Sequence, residues 1–104
     1  MKNNHQPHPH SFHQLNLATE QLRNLQQLGF EQMTQVQELA LPPALAGDDL
    51  IVQAHTGSGK TLVFALTIMQ KLALELNNAQ AVVLCPTREL ASHVAVSFFH
   101  VACA

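Results

Sequence analysis

The spacing of apolar positions changes along the chain, and each change predicts an element. Leu17, Leu22, Leu25 and Leu28 recur at helical spacing with polar residues between them, so they share one face of an amphipathic helix. Gly29 follows where a left-handed cap ends such a helix. A second helix is predicted from Thr34. Thr34 and Gln37 stand at capping-box spacing, and Val36, Leu39 and Ala40 lie to one side. Pro42-Pro43 predicts a break, with a short helical turn from Pro43 to Gly47. Leu50-Ile51-Val52, after Asp48-Asp49, then reads as a short buried parallel strand. Small residues dominate from Ala54 to Gly59. Residues 60–75 are apolar on most faces, which predicts a buried helix ended by Asn77-Asn78. Ala81 to Cys85 reads as a second buried strand, and Pro86-Thr87 turn the chain into a last helix from about Arg88.

Strand, helix, strand with short connections implies a right-handed βαβ unit, so the expected fold class is α/β. Two strands make only part of such a sheet. The 104 residues allow one small domain, and 47% apolar residues allow it a core. Charged residues are 12% and the net charge is −2, which excludes a strongly basic nucleic-acid footprint. A local phosphate site built from backbone amides remains open. Met1 to Pro7 has no apolar core of a secretory signal. The run from Leu62 to Met69, interrupted by Thr67, is far below the roughly 18 residues a membrane span needs. Cys85 and Cys103 have no metal or redox spacing, which fits a reduced, cytoplasmic setting. Residues 1–14 are polar, with His5, His8, His10 and His13, and read as a tail. A metal-binding tail is the weaker alternative, because His8 and His10 flank Pro9 and suit no closed ligand set.

The stretch Ala54-His55-Thr56-Gly57-Ser58-Gly59-Lys60-Thr61 carries the most chemistry. It follows a predicted strand and opens a predicted helix, the context in which such a loop holds phosphates. Gly57 and Gly59 permit backbone angles other residues avoid, and their bare backbones let N–H groups approach an anion. The helix that starts there adds free amides and the positive end of its dipole. Lys60 would reach the β- and γ-phosphates, and Thr61 would offer a hydroxyl to Mg²⁺. The strict pattern has glycine at position 54, where this chain has Ala54.

Three stretches together resemble the N-terminal part of the DEAD-box ATP-dependent RNA helicases. Ala54 to Thr61 is similar to the family's A-x-T-G-S-G-K-T form, in which Ala54 is the ordinary residue. Pro86-Thr87-Arg88-Glu89-Leu90-Ala91 is similar to motif Ia. Gly29 to Gln37 resembles the Q motif, with Phe12 as its isolated upstream aromatic. The resemblance covers about residues 12–95. Met33-Thr34-Gln35-Val36-Gln37, Leu41-Pro42 and Leu84-Cys85-Pro86 point within the family to its bacterial DbpA-type members.

The resemblance implies a partial RecA-like domain, ATP and Mg²⁺ as cofactors, and RNA as partner. It divides the chain into a tail (1–11), a Q-motif region (12–38) and a truncated ATP-binding domain (39–104). It implies that Gln37 reads the adenine edge, that Thr34 holds the same turn, and that Phe12 packs beside the base. Residues 54–61 would hold the phosphates, with Lys60 the one group acting on transition-state charge. Pro86, Thr87 and Arg88 would face the RNA backbone. Plainer readings stand beside these: Gln37 also fits as the capping partner of Thr34, and Thr87 as a helix cap with Arg88 solvated. His55, His93 and His100 are given no catalytic role. Phe64, Phe98 and Phe99 are read as core.

Other family features are missing from the sequence. It has no D-E-A-D motif to hold Mg²⁺ and orient water, no S-A-T motif, and no second RecA-like domain with its arginine finger, a group worth roughly 10³–10⁵ in rate in comparable enzymes. From Leu90 to Ala104 there is no Asp, Glu, Lys or Arg, and the resemblance fades after Val94-Ala95. A truncated or frame-shifted reading is therefore expected, with Ser97 to Ala104 departing from helicase sequence. Two functions follow: an ATP-dependent RNA helicase represented by its N-terminal part, or a non-catalytic remnant that at best binds nucleotide. No membrane association and no stable oligomer are expected.

Overall fold

The computed structural model describes residues 10–73 and 75–103. The expected tail lies outside the described residues as far as residue 9. Helix α1 (Thr19–Gln27) ends as its sequence predicts. Gly29 takes φ +92°, the Phe30 N–H donates to the Leu25 carbonyl (2.8 Å) and the Gly29 N–H to that of Gln26 (3.1 Å). Those two bonds are the Schellman pair, and they satisfy carbonyls the helix leaves open.

Helix α2 (Gln35–Leu45) begins in the predicted capping box. It then runs through Pro42 and Pro43, where the sequence predicted a break. The two prolines remove two backbone donors. Leu41 and Ala44 nevertheless bury their side chains on either side of them, and packing of that face outweighs the lost bonds. Helix α3 (Lys60–Lys71) is shorter than expected at its C-terminal end. There the Gln80 side chain clasps Ala73, accepting from its N–H and donating to its carbonyl, both at 2.8 Å. The backbone donor that would have continued the helix is thereby taken. Helix α4 (Arg88–Cys103) forms as predicted and runs on through the uncharged stretch.

Helix α3 packs against α2 on one side and α4 on the other, and α1 closes against α4. Leu41 and Leu66 are completely buried at the centre, with Leu25 and Phe12 nearly so. Each contributes roughly 1.5–3 kcal/mol of apolar burial. Val101, in the last turn of α4, joins the same cluster.

The predicted strands do not form. Among the described residues there is no β-strand, and the one bridge is antiparallel, between Ser11 and Gln32. A strand exists through its hydrogen-bonded neighbour, and no backbone hydrogen bond joins residues 50–53 to residues 81–85. Their side chains are correspondingly uncovered, with Ile51 100% and Leu84 90% exposed. Phe99, expected in the core, is also more than half exposed, while Phe64 and Phe98 are half-buried.

The expected tail is corrected at residues 10–14. Phe12–Gln14 form a 3₁₀ turn, the Met33 N–H donates to the His10 carbonyl (2.7 Å), and His10 pairs with Glu38 of α2. Burial of Phe12 anchors this segment. No helix of the described residues is long and apolar enough to cross a membrane.

Two substitutions should separate the covered from the uncovered apolar positions. Leu66→Ala, at a fully buried site, is expected to cost about 2–5 kcal/mol. Ile51→Lys, at a fully exposed site, is expected to change stability by less than about 0.5 kcal/mol. Urea denaturation of both variants measures the difference.

Candidate functional site

Residues 54–59 form an irregular loop that delivers the chain into α3. Gly57 and Gly59 both adopt left-handed backbone, at φ +88° and +89°. The second is constrained twice, because a Cβ at Gly59 would also collide with the Gln37 amide. Glycine at 59 is thus required by backbone angle and by space.

Two side chains of the capping box hold the end of this loop. The Thr34 hydroxyl donates to the Ser58 carbonyl at 2.7 Å and accepts from the Gln37 N–H at 3.2 Å. The Gln37 side chain accepts from the Thr34 N–H through Oε1 at 2.8 Å and donates to the Gly59 carbonyl through Nε2 at 3.2 Å. The capping role and a loop-holding role therefore coexist in one residue. A glutamine amide has two protons and two acceptor positions, so one of each is left after these bonds.

The Lys60 ammonium donates to the Ala54 carbonyl, back across its own loop. Ser58 is only 7% exposed, and its hydroxyl has no hydrogen-bond partner among the described residues. A buried hydroxyl without a partner costs about 1–3 kcal/mol, which an anion's oxygen placed there would offset. With two left-handed glycines, a helix N-terminus and this hydroxyl, the loop fits a phosphate group. His55, Thr56 and Gly57 are exposed beside it, and Thr61 is half-buried.

A cavity of about 340 Å³ adjoins this loop. Gln37, Gly59 and Thr61 line it, as the sequence would place them, and so do Phe30 and Leu28 from the turn after α1. Phe30 was not singled out by sequence. Its signal was an aromatic directly after the capping glycine, which the Schellman turn leaves 40% exposed along the cavity wall. Phe12 is 2% exposed in the core and lines a different hollow, which it shares with Phe30.

Thr87 caps α4, its hydroxyl accepting from the Leu90 N–H at 3.1 Å. Arg88 is exposed in the first turn beside Pro86 and Thr87, and it makes no ion pair among the described residues.

Residues 34–103 match the family model DEAD/DEAH box helicase. The chain is 56% identical over 79 residues to the ATP-dependent RNA helicase DbpA of Escherichia coli (strain K12), covering 76% of this chain and 17% of that protein. A DEAD box protein from the hyperthermophile Methanococcus jannaschii superposes with a TM-score of 0.81 at 38% identity, over 88% of this chain and 25% of that one. S. cerevisiae Dbp5 bound to RNA and ADP BeF3 superposes with a TM-score of 0.83 at 34% identity, over 88% of this chain and 24% of that one. The chain thus spans a quarter or less of the length of these proteins.

Thr34→Ala removes one side chain from both the cap and the loop. It is expected to destabilise the chain by about 1–2 kcal/mol. It should also speed amide exchange at residues 57–60 more than in α1, which hydrogen-exchange measurements read directly.

Proposed function

Because the chain belongs to the DEAD/DEAH box helicase family, we propose that it carries the nucleotide-binding elements of an ATP-dependent RNA helicase, on part of a RecA-like α/β domain. The supporting observation is the convergence of two separate motifs on one cavity. Thr34 and Gln37 reach the loop 54–59 through two carbonyls, Ser58 and Gly59, and Gln37, Gly59 and Thr61 line the same space.

In this reading the amides of residues 57–60 and the Ser58 hydroxyl take the phosphates. The Lys60 ammonium leaves the Ala54 carbonyl for a phosphate oxygen, exchanging a neutral acceptor for a charged one. Thr61 holds Mg²⁺, which when bound neutralises phosphate charge. The spare donor and acceptor of Gln37 read the adenine edge, and Phe30 supplies an aromatic face for the base. Phe12 acts on the base through Phe30, with which it shares a hollow.

The N-terminus of α4, with Pro86, Thr87 and Arg88, faces the RNA backbone. Such contacts position a strand without reading its sequence. Dbp5, bound to RNA and ADP BeF3, is a structural relative that supports this pairing of ligands. A reduced, cytoplasmic setting is part of the reading, and the thiol of Cys85 is free.

A second reading, binding without turnover by this chain alone, is favoured by one observation. None of its seven acidic residues lines the cavity, so no carboxylate there orients water or completes a metal site.

Calorimetry with ATP and Mg²⁺ tests the site. Lys60→Ala is expected to weaken binding at least tenfold, and equal affinity for the two proteins would defeat the assignment. Phosphate release from ATP is expected to stay at background with or without RNA, and RNA-stimulated release would remove the second reading. Arg88→Ala is expected to weaken RNA binding uniformly across sequences and to lower the salt slope by about 0.7 on a single strand. An unchanged slope would leave Arg88 a solvated first-turn residue.

A further inference from the structure

Helix α4 reaches the nucleotide cleft with its C-terminal half, a part of the chain outside every recognised motif. Ser97, His100 and Val101 line the same cavity as Gln37, Gly59 and Thr61. Residues at i, i+3 and i+4 share one face of a helix, so these three form a continuous strip. The strip is anchored: Val101 is buried in the core, and its carbonyl accepts from the Gln21 amide of α1 at 3.3 Å. Ser97 and His100 are therefore held at the cleft by a packed turn.

The cleft has two chemically distinct ends. Gly59 and Thr61 bring the last loop residue and the first turn of α3 to its wall, the part suited to an anion. Leu28 and Phe30 give the remainder an apolar lining suited to a base. Among the described residues, the polar side chains around the cavity are Gln37, Thr61, Ser97 and His100. Gln37 and Thr61 belong to motifs already discussed, which leaves Ser97 and His100. The His100 ring lies stacked with Phe99, centroids 6.4 Å apart, and makes no hydrogen bond among the described residues. An imidazole offers a donor in either protonation state.

We infer that α4 supplies the outer wall of the nucleotide cleft and that His100 hydrogen-bonds the nucleoside part of the bound nucleotide, its base or ribose. This rests on the nucleotide reading of the loop and adds to it a residue that positions the ligand's non-phosphate half.

The test compares two probes on the 104-residue chain by calorimetry: ADP, which carries a nucleoside, and inorganic tripolyphosphate, which does not. His100→Ala is expected to weaken ADP about three- to tenfold, the effect of one hydrogen bond, and to leave tripolyphosphate unchanged. His100→Gln, which keeps a donor and an acceptor, should restore most of the ADP affinity. Circular dichroism should show α4 intact in both variants, since His100 is exposed. Unchanged ADP affinity in His100→Ala would overturn the proposal. An equal loss for both probes would overturn it too, because the residue would then act on phosphate or on the fold. Wild-type protein that binds neither probe would sink the nucleotide reading itself, whereas wild type that binds both but ignores His100 would sink only this inference.

Discussion

The Gln37 side chain, held between the Thr34 N–H and the Gly59 carbonyl, is the contact on which the geometry of the site depends. It occupies the space a Cβ would need at Gly59, so one residue's lack of a side chain is what lets the other approach. The same glutamine completes the N-terminal cap of α2. Stability of that helix and shape of the loop are thus coupled through a single amide. The Thr34 hydroxyl repeats the arrangement on the neighbouring carbonyl, Ser58. Two segments more than twenty residues apart are joined by polar groups that each already serve the backbone, which is why a short loop with no regular hydrogen bonding keeps a defined form.

Around this joint the packing is one-sided. Helix α3 lies between α2 and α4 and buries Leu62, Val63 and Leu66 against them. Residues 50–52 and 81–84 are as apolar as the core yet carry exposed side chains, and among the described residues their backbone has no strand partner. With 12% charged residues, few charges guard these segments, and unpaired apolar edges invite association.

Helix α4 joins the two places to which the proposed function and the further inference assign ligands. At roughly 1.5 Å per residue, its 16 residues span about 24 Å, from the Thr87 cap with the exposed Arg88 to the turn that walls the cleft. Within the stretch without charged residues, Val101 faces the core and Ser97 lines the cavity, where a charge would need a partner, whereas Leu90, Val96 and Phe99 are exposed and uncharged without a packing reason.

Local features were legible in the residues because they depend on near neighbours. The Gly29 cap, the Thr34–Gln37 box, the loop 54–61 and the Thr87 cap are each set by a few consecutive positions, and they form as the pattern predicts. Expectations that required a distant partner fared differently. The two apolar runs were read as strands, but no neighbour pairs with them. Pro42-Pro43 was read as a break, but burial of Leu41 and Ala44 carries the helix through. Phe12, read beside the base, is buried and shares a hollow with Phe30 instead of lining the cavity itself; Phe30 and His100, unmarked by spacing, are brought to the cavity by the turn after α1 and by α4. The sequence alone determined caps, helix faces and the glycine loop that enters α3, since short-range sterics and hydrogen bonding decide them. Tertiary structure alone decided which side chains meet at the cleft, since that depends on how α1, α2, α3 and α4 bury their apolar faces against one another.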